Sequence, residues 1–224
     1  MDDRNLFETL KGRLFTAAVG DAMDAIGLHR QFLPPSVRAL RPDMVVAGRA
    51  MPVSEADWPA ASTKEERSAE AFGLMFRALD DLRPGEVYVC SGASPTYALW
   101  GGLMSARAGK LGAAGAVVDG YHRDTREILA LGFPVFSEGA YAQDQRTRGR
   151  VVDFRVPIEF INGCHVDPGD IVFGDVDGVV VIPRGAVEEV VRLALAKVDG
   201  EGDVRGMIAE GQTTETIFAK TGIM

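Results

Sequence analysis

A carboxylate, an imidazole, a guanidinium and a second carboxylate lie close together in Asp119-Gly-Tyr-His122-Arg123-Asp124, directly after the apolar run Gly115-Ala-Val-Val118. A short apolar run of this kind reads as a buried strand, and in open α/β sheets ligands sit outside the carboxyl ends of strands. Placed there, Asp124 could take a hard divalent cation through oxygen, and Arg123 could grip a substrate carboxylate with its planar donor fork. The same two residues would serve equally well as a helix N-cap and a surface ion pair. Residue types alone leave both readings open. His122 adjoins Arg123 and could contact a substrate or donate a proton, although a lone loop histidine is more often simply solvated.

A second candidate is Trp100-Gly101-Gly102-Leu103-Met104. Glycines at a helix start leave N–H groups free and let an anion approach the backbone. Close packing of a helix on a sheet uses glycine too. Asp175-Val-Asp177-Gly178 lacks the further oxygen ligands of a calcium loop and reads as a hairpin turn. His29, His122 and His165 have no zinc-like spacing. Neither a Gly-x-Ser-x-Gly elbow nor a phosphate-binding Gly-x-x-x-x-Gly-Lys occurs. Gly112-Ala-Ala-Gly115 precedes a strand, where a dinucleotide loop would follow one.

The elements around these motifs follow from periodicity. Residues 3–27 are expected to be helical, with Leu6, Leu10 and Leu14 spaced by four and a second short helix ending before Gly27. Residues 44–47 and 49–53 read as two short strands, 58–63 as a loop, and 64–82 as a helix stopped by Pro84-Gly85. A strand at 86–90, a helix at 97–108 opening at Gly101-Gly102, a strand at 116–118, a helix at 125–131 and a strand at 134–136 then alternate. That order predicts βαβ units and a parallel sheet. Residues 151–160 alternate as a strand, 170–183 as two strands about a tight Asp-Gly turn, and a long amphipathic helix starts at Ala186. A polar tail from Glu201 ends in short helices.

Composition narrows the class. The net charge of −8 and the absence of basic runs argue against nucleic acid as a partner. No apolar run approaches the roughly 20 residues that span a bilayer, and the polar start Met1-Asp-Asp-Arg is unlike a signal peptide, so a cytoplasmic protein with no membrane partner is expected. Cys90 and Cys164 stand in unrelated contexts and make neither a disulfide framework nor a zinc site. The chain is expected to be a single domain over 1–224, with a core of about 1–198 and a C-terminal arm of about 199–224.

The run Gly112-Ala-Ala-Gly-Ala-Val-Val-Asp-Gly-Tyr-His-Arg-Asp124 resembles the signature of the RraA-like proteins, which include the class II pyruvate aldolases acting on 4-hydroxy-4-methyl-2-oxoglutarate and 4-carboxy-4-hydroxy-2-oxoadipate. The likeness extends over most of the chain. It includes Val19-Gly-Asp21-Ala-Met-Asp-Ala-Ile-Gly27, Val46-Ala-Gly48-Arg-Ala, Gly132-Phe-Pro-Val-Phe136, Pro168-Gly-Asp-Ile-Val and Asp175-Val-Asp-Gly-Val-Val-Val-Ile-Pro183, in that order.

The resemblance implies an α/β chain of the swivelling β/β/α kind with a helical C-terminal arm at a subunit interface, assembled as a homotrimer or homohexamer. It implies a lyase that cleaves a C–C bond of a small anionic 2-oxo acid through the enolate of pyruvate, by aldol cleavage or by oxaloacetate decarboxylation. Asp124 would hold Mg²⁺ or Mn²⁺, and Arg123 the 2-oxo acid. Backbone amides of Gly101, Gly102, Leu103 and Met104 would hold the pyruvyl carboxylate, with His122 beside them. Glu201 would be an acid lent by the neighbouring subunit. The alternative is a non-catalytic regulator that binds ribonuclease E. In two places the chain departs from the aldolases: Gly102 stands where they carry an acid after the first glycine, and Tyr121-His122 where small apolar residues are more common.

Overall fold

The computed structural model describes residues 2–59, 64 and 68–223 of the chain. At its centre run four parallel strands, in the spatial order β7 (Val135–Ser137), β5 (Gly115–Val118), β3 (Glu86–Ser91) and β2 (Val46–Asp57). Each parallel step carries a helix, as a parallel crossover requires. These are α3 (Met75–Asp80) before β3, α4 (Gly102–Lys110) before β5 and α5 (Thr125–Leu131) before β7. Because helices cover the sheet, the central strands are apolar on both faces, and all of β5 is buried. The expected βαβ order is therefore present.

Antiparallel strands extend the sheet. β12 (Ile171–Asp175) pairs with the first residues of β2 and with β13 (Gly178–Ile182), while β9 (Gly149–Phe154) pairs with the last residues of β2. At the opposite side β1 (Arg38–Ala39) pairs with β7. The Arg38 guanidinium donates to the carbonyls of Val176 and Asp177 in the β12–β13 turn. The two sheet edges thus meet, and the sheet is nearly closed, like a barrel. Asp175 accepts from the amide and hydroxyl of Thr16 at 2.8 and 2.6 Å. It therefore caps α2 (Thr16–Ala25), whose own N-cap residue Phe15 supplies no side-chain bond. The Asp175–Gly178 segment is a turn that anchors a helix.

Several elements differ from the periodicity reading. β2 is one strand of 12 residues where two were expected. Gly48 does not break it; a Cβ there would lie 2.4 Å from the Gly85 carbonyl oxygen, so glycine permits a close approach. Gly48→Ala is expected to destabilise the fold by about 1–3 kcal/mol through overpacking. Urea unfolding measures this, and an unchanged midpoint would mean that the loop at Gly85 yields freely.

The segment expected as one strand at 151–160 turns at Arg155 (φ 57°) and resumes as β10 (Ile158–Glu159), paired with β11 (His165–Val166). Of the helix expected over 64–82, the described part is a 3₁₀ turn, Ala69–Phe72, and α3, separated by Gly73 at φ 58°. Residues 65–67 of it, like residues 60–63 of the expected loop, lie outside the described residues. α1 (Asp3–Arg13) precedes α2 at the N-terminus. At the C-terminus α6 (Val187–Ala209) runs unbroken past the expected core boundary, followed by α7 (Thr214–Thr221). No helix among the described residues is long and apolar enough to cross a membrane.

Candidate active site

A second, small parallel sheet builds the site: β4 (Ala98–Trp100), β6 (Tyr121–His122) and β8 (Gly139–Ala140). Trp100 and His122 are register partners, so the residues that follow them emerge side by side: Gly101-Gly102 from β4 and Arg123-Asp124 from β6. The Arg123 amide donates to the Trp100 carbonyl at 2.9 Å and fixes the junction. Trp100 is the anchor beneath it. Its indole N–H donates to the Ser105 hydroxyl at 2.7 Å, and its ring packs on Tyr88 and Phe133. Residues 98–100, the start of the segment expected as helix from 97, are thus a strand whose end aims the two glycines.

Asp124 is the N-cap residue of α5, yet its side chain does not cap that helix. Its backbone is left-handed (φ 60°, ψ 35°), a conformation uncommon outside glycine and found at strained functional positions. That twist turns the carboxylate to the start of α4 instead, where Oδ2 accepts from the Gly102 amide at 3.1 Å. Gly101 makes the approach possible, since a Cβ there would stand 2.9 Å from Asp124 Oδ2 and 3.5 Å from Arg123 Cγ. Arg123 lies between two carboxylates, with Nε 3.8 Å from Asp124 and Nη1 3.5 Å from Asp144. The amides of Leu103 and Met104, in the first turn of α4, have no acceptor within their helix and carry the positive end of its dipole.

These groups open onto a cleft of about 270 Å³. Gly101, Arg123, Asp124, Asp144, Gln145 and Arg146 make its polar side, and Phe72, Met75, Phe76, Leu79, Leu103 and Met104 its apolar side. The donor set suits a hard cation with a largely aqueous shell. Asp124 is half-exposed, its Oδ1 has no bond among the described residues, and Mg²⁺ is commonly held by only one or two carboxylates plus waters. Among the described residues no group of three or more His, Cys, Asp or Glu side chains is placed to enclose a metal. A cation held here would rely on Asp124 and water.

Gly101, Gly102, Leu103, Met104, Arg123 and Asp124 are therefore brought together. His122 is not brought to the cleft. It is 2 % exposed, with Nδ1 2.7 Å from the Ser137 hydroxyl and Nε2 3.0 Å from that of Thr125. Burial lowers its pKa below the ordinary histidine value, and strand alternation accounts for its direction, opposite to that of the residues flanking it. Glu201 lies on α6, bonded to Arg205 at 3.0 Å and 3.8 Å from Lys197, outside the cleft wall of its own chain. Asp144, Gln145 and Arg146 were not anticipated. They follow β8 in Ala142-Gln-Asp-Gln-Arg-Thr, whose only sequence signal is a run of polar residues after a strand.

The chain matches the RraA-like (Aldolase/RraA) family model over residues 16–181. It is 30% identical over 201 residues to protein DlpA of Legionella pneumophila, a match that takes in 89% of this chain but 31% of DlpA, so the chain spans less than a third of that relative. It is 35% identical over 148 residues to the Halalkalibacterium halodurans protein named "Putative 4-hydroxy-4-methyl-2-oxoglutarate aldolase", covering 65% of this chain and 70% of that one. Among solved structures it superimposes with a TM-score of 0.78 and 25% identity on Streptomyces coelicolor RraAS2, described as an unusual member of the RNase ES inhibitor RraA family, over 92% of this chain and 98% of the other. The swivelling β/β/α architecture, the order of the motifs and this match together place the chain in the Aldolase/RraA family.

Proposed function

We propose that the protein is a divalent-metal-dependent lyase that cleaves a C–C bond of a 2-oxo acid, of the 4-hydroxy-4-methyl-2-oxoglutarate type, to release pyruvate. The convergence of Arg123, Asp124 and the amides at the start of α4 on one cleft carries this reading. The aldolase name of the H. halodurans relative supports it. In this reading the Leu103 and Met104 amides hold the substrate carboxylate, because an anion is stabilised at a helix N-terminus. Arg123 donates to the 2-oxo oxygen. Asp124 would hold a Mg²⁺ or Mn²⁺ ion, which would supply Lewis-acid polarisation of that oxygen.

As the C4 hydroxyl gives its proton to water, its oxygen becomes the carbonyl of a second pyruvate, the C3–C4 bond breaks and that bond's electrons pass to C3. Negative charge then builds on the 2-oxo oxygen, and in this reading the Arg123 guanidinium stabilises it. Protonation of C3 completes pyruvate. Oxaloacetate decarboxylation runs through the same enolate with CO₂ as the leaving fragment. The proposal includes a cytoplasmic trimer or hexamer of single-domain protomers, in which Glu201 serves the cleft of a neighbouring copy.

Pyruvate release from 4-hydroxy-4-methyl-2-oxoglutarate and from oxaloacetate, with Mg²⁺ or Mn²⁺, tests the reading. Turnover is expected with metal and is expected to be lost on chelation and in Asp124→Asn. Absence of pyruvate from both substrates at any metal concentration would refute it. The likeness to RraAS2 favours one second reading, an inhibitor of an RNase E-type ribonuclease. Inhibition of such a nuclease by a protein inert towards both acids would establish that instead.

A further inference from the structure

Helices α4 and α5 begin at the same point, and each is met there by a carboxylate. Asp124 reaches the Gly102 amide at 3.1 Å. The second carboxylate is that of Glu127, in the first turn of α5. A Cβ on Gly102 would lie 2.1 Å from Glu127 Oε2, 2.4 Å from its Cδ and 2.9 Å from its Cγ. The Glu127 carboxyl group thus fills the space over Gly102 where a side chain would otherwise stand. Its backbone amide donates to the Asp124 carbonyl at 2.9 Å, which fixes the two acids relative to each other. Among the described residues the Glu127 carboxylate has neither a hydrogen bond nor an ion pair, and Glu127 is exposed.

An acid in the first turn of a helix is ordinarily explained by that helix's own dipole. Here the side chain leans over the start of a different helix and onto the residue that Asp124 also touches. Two like charges brought to one residue repel, and among the described residues the only guanidinium within 4 Å of either is that of Arg123, which Asp144 also approaches. Such an arrangement is relieved by a cation.

We propose that Glu127 is a positioning residue of the Asp124 cation site. It accepts hydrogen bonds from water on the cation, and Gly102 is glycine to leave room for it. The inference rests on Asp124 being the metal ligand. A hard cation held by one carboxylate keeps several waters, whose protons need acceptors. Removing such outer partners typically weakens metal binding about 10- to 100-fold.

Mn²⁺ titration of the full chain, with free Mn²⁺ followed by electron paramagnetic resonance, tests this separately from turnover. Glu127→Gln is expected to raise the Mn²⁺ dissociation constant about 10-fold, with the urea midpoint unchanged. Gly102→Ala is expected to give a similar shift by displacing the Glu127 carboxyl group while leaving every acid in the sequence. Asp124→Asn is expected to abolish binding. Wild-type Mn²⁺ affinity in Glu127→Gln, alongside lost binding in Asp124→Asn, would overturn the role of Glu127 and leave the Asp124 site standing. Unchanged affinity in Asp124→Asn would overturn both.

Discussion

Arg123→Ala is expected to lower kcat/KM for pyruvate release by about 10²–10³-fold, the usual cost of removing one preorganised donor from a developing oxyanion. The side chain is 39 % exposed and, among the described residues, paired with carboxylates at 3.5 and 3.8 Å alone, so its loss should scarcely touch the fold. Its effect should therefore appear in kcat/KM with no shift in the unfolding midpoint. Arg123→Lys separates charge from geometry. A point charge on a flexible stem cannot reproduce the planar fork, so lysine should recover only part of the loss. Because Asp144 and Asp124 aim the guanidinium from two sides, Asp144→Ala should cost less than Arg123→Ala. Wild-type turnover in Arg123→Ala would remove Arg123 from the mechanism.

Much of this site was legible in the sequence because the chemistry lies on strand ends. Gly115-Ala-Val-Val118 and the Asp-Gly-Tyr-His-Arg-Asp run behind it announce a buried strand and the loop after it, and the fold places Arg123 and Asp124 there. The direction of side chains was less legible. His122 and Arg123 are neighbours in sequence, but alternation on β6 sends one into the core and the other to the cleft. Long-range pairing was not legible at all. Residues 98–100 are strand because β6 lies beside them, a contact that no local propensity encodes. Asp144 and Glu127 reach the site through tertiary geometry alone. Gly102 looked like the loss of an acid, but the space beside it is filled by the acid of another helix.

Stability should depend on pH with a sign set by Glu55. This residue lies on β2, 3 % exposed, and accepts from Gln145 Nε2 at 2.7 Å. Burial pushes its pKa up to about 8; the Gln145 bond opposes the rise and the nearby charge of Asp57 adds to it. In the unfolded chain the group titrates near the ordinary value of 4.5. Between those limits the native state binds the proton and the unfolded state does not. Stability therefore falls as pH rises across that window, by up to about 1.4 kcal/mol per pH unit from this group, and levels off above it.

Other groups titrate in the same range. His122, whose pKa is lowered by burial, contributes the opposite sign below its unfolded pKa. The difference between wild type and Glu55→Gln isolates the carboxyl. The amide cannot ionise but still offers an oxygen to Gln145, so the variant should lack the falling slope and be the more stable protein at pH 8. Gln145 is on the cleft wall beside Asp144, so the same bond ties the rim of the site to β2. Urea unfolding from pH 5 to 8 reads both curves. If they ran parallel, Glu55 would be ionised in the folded protein, and its burial would need a cationic partner that the described residues do not supply.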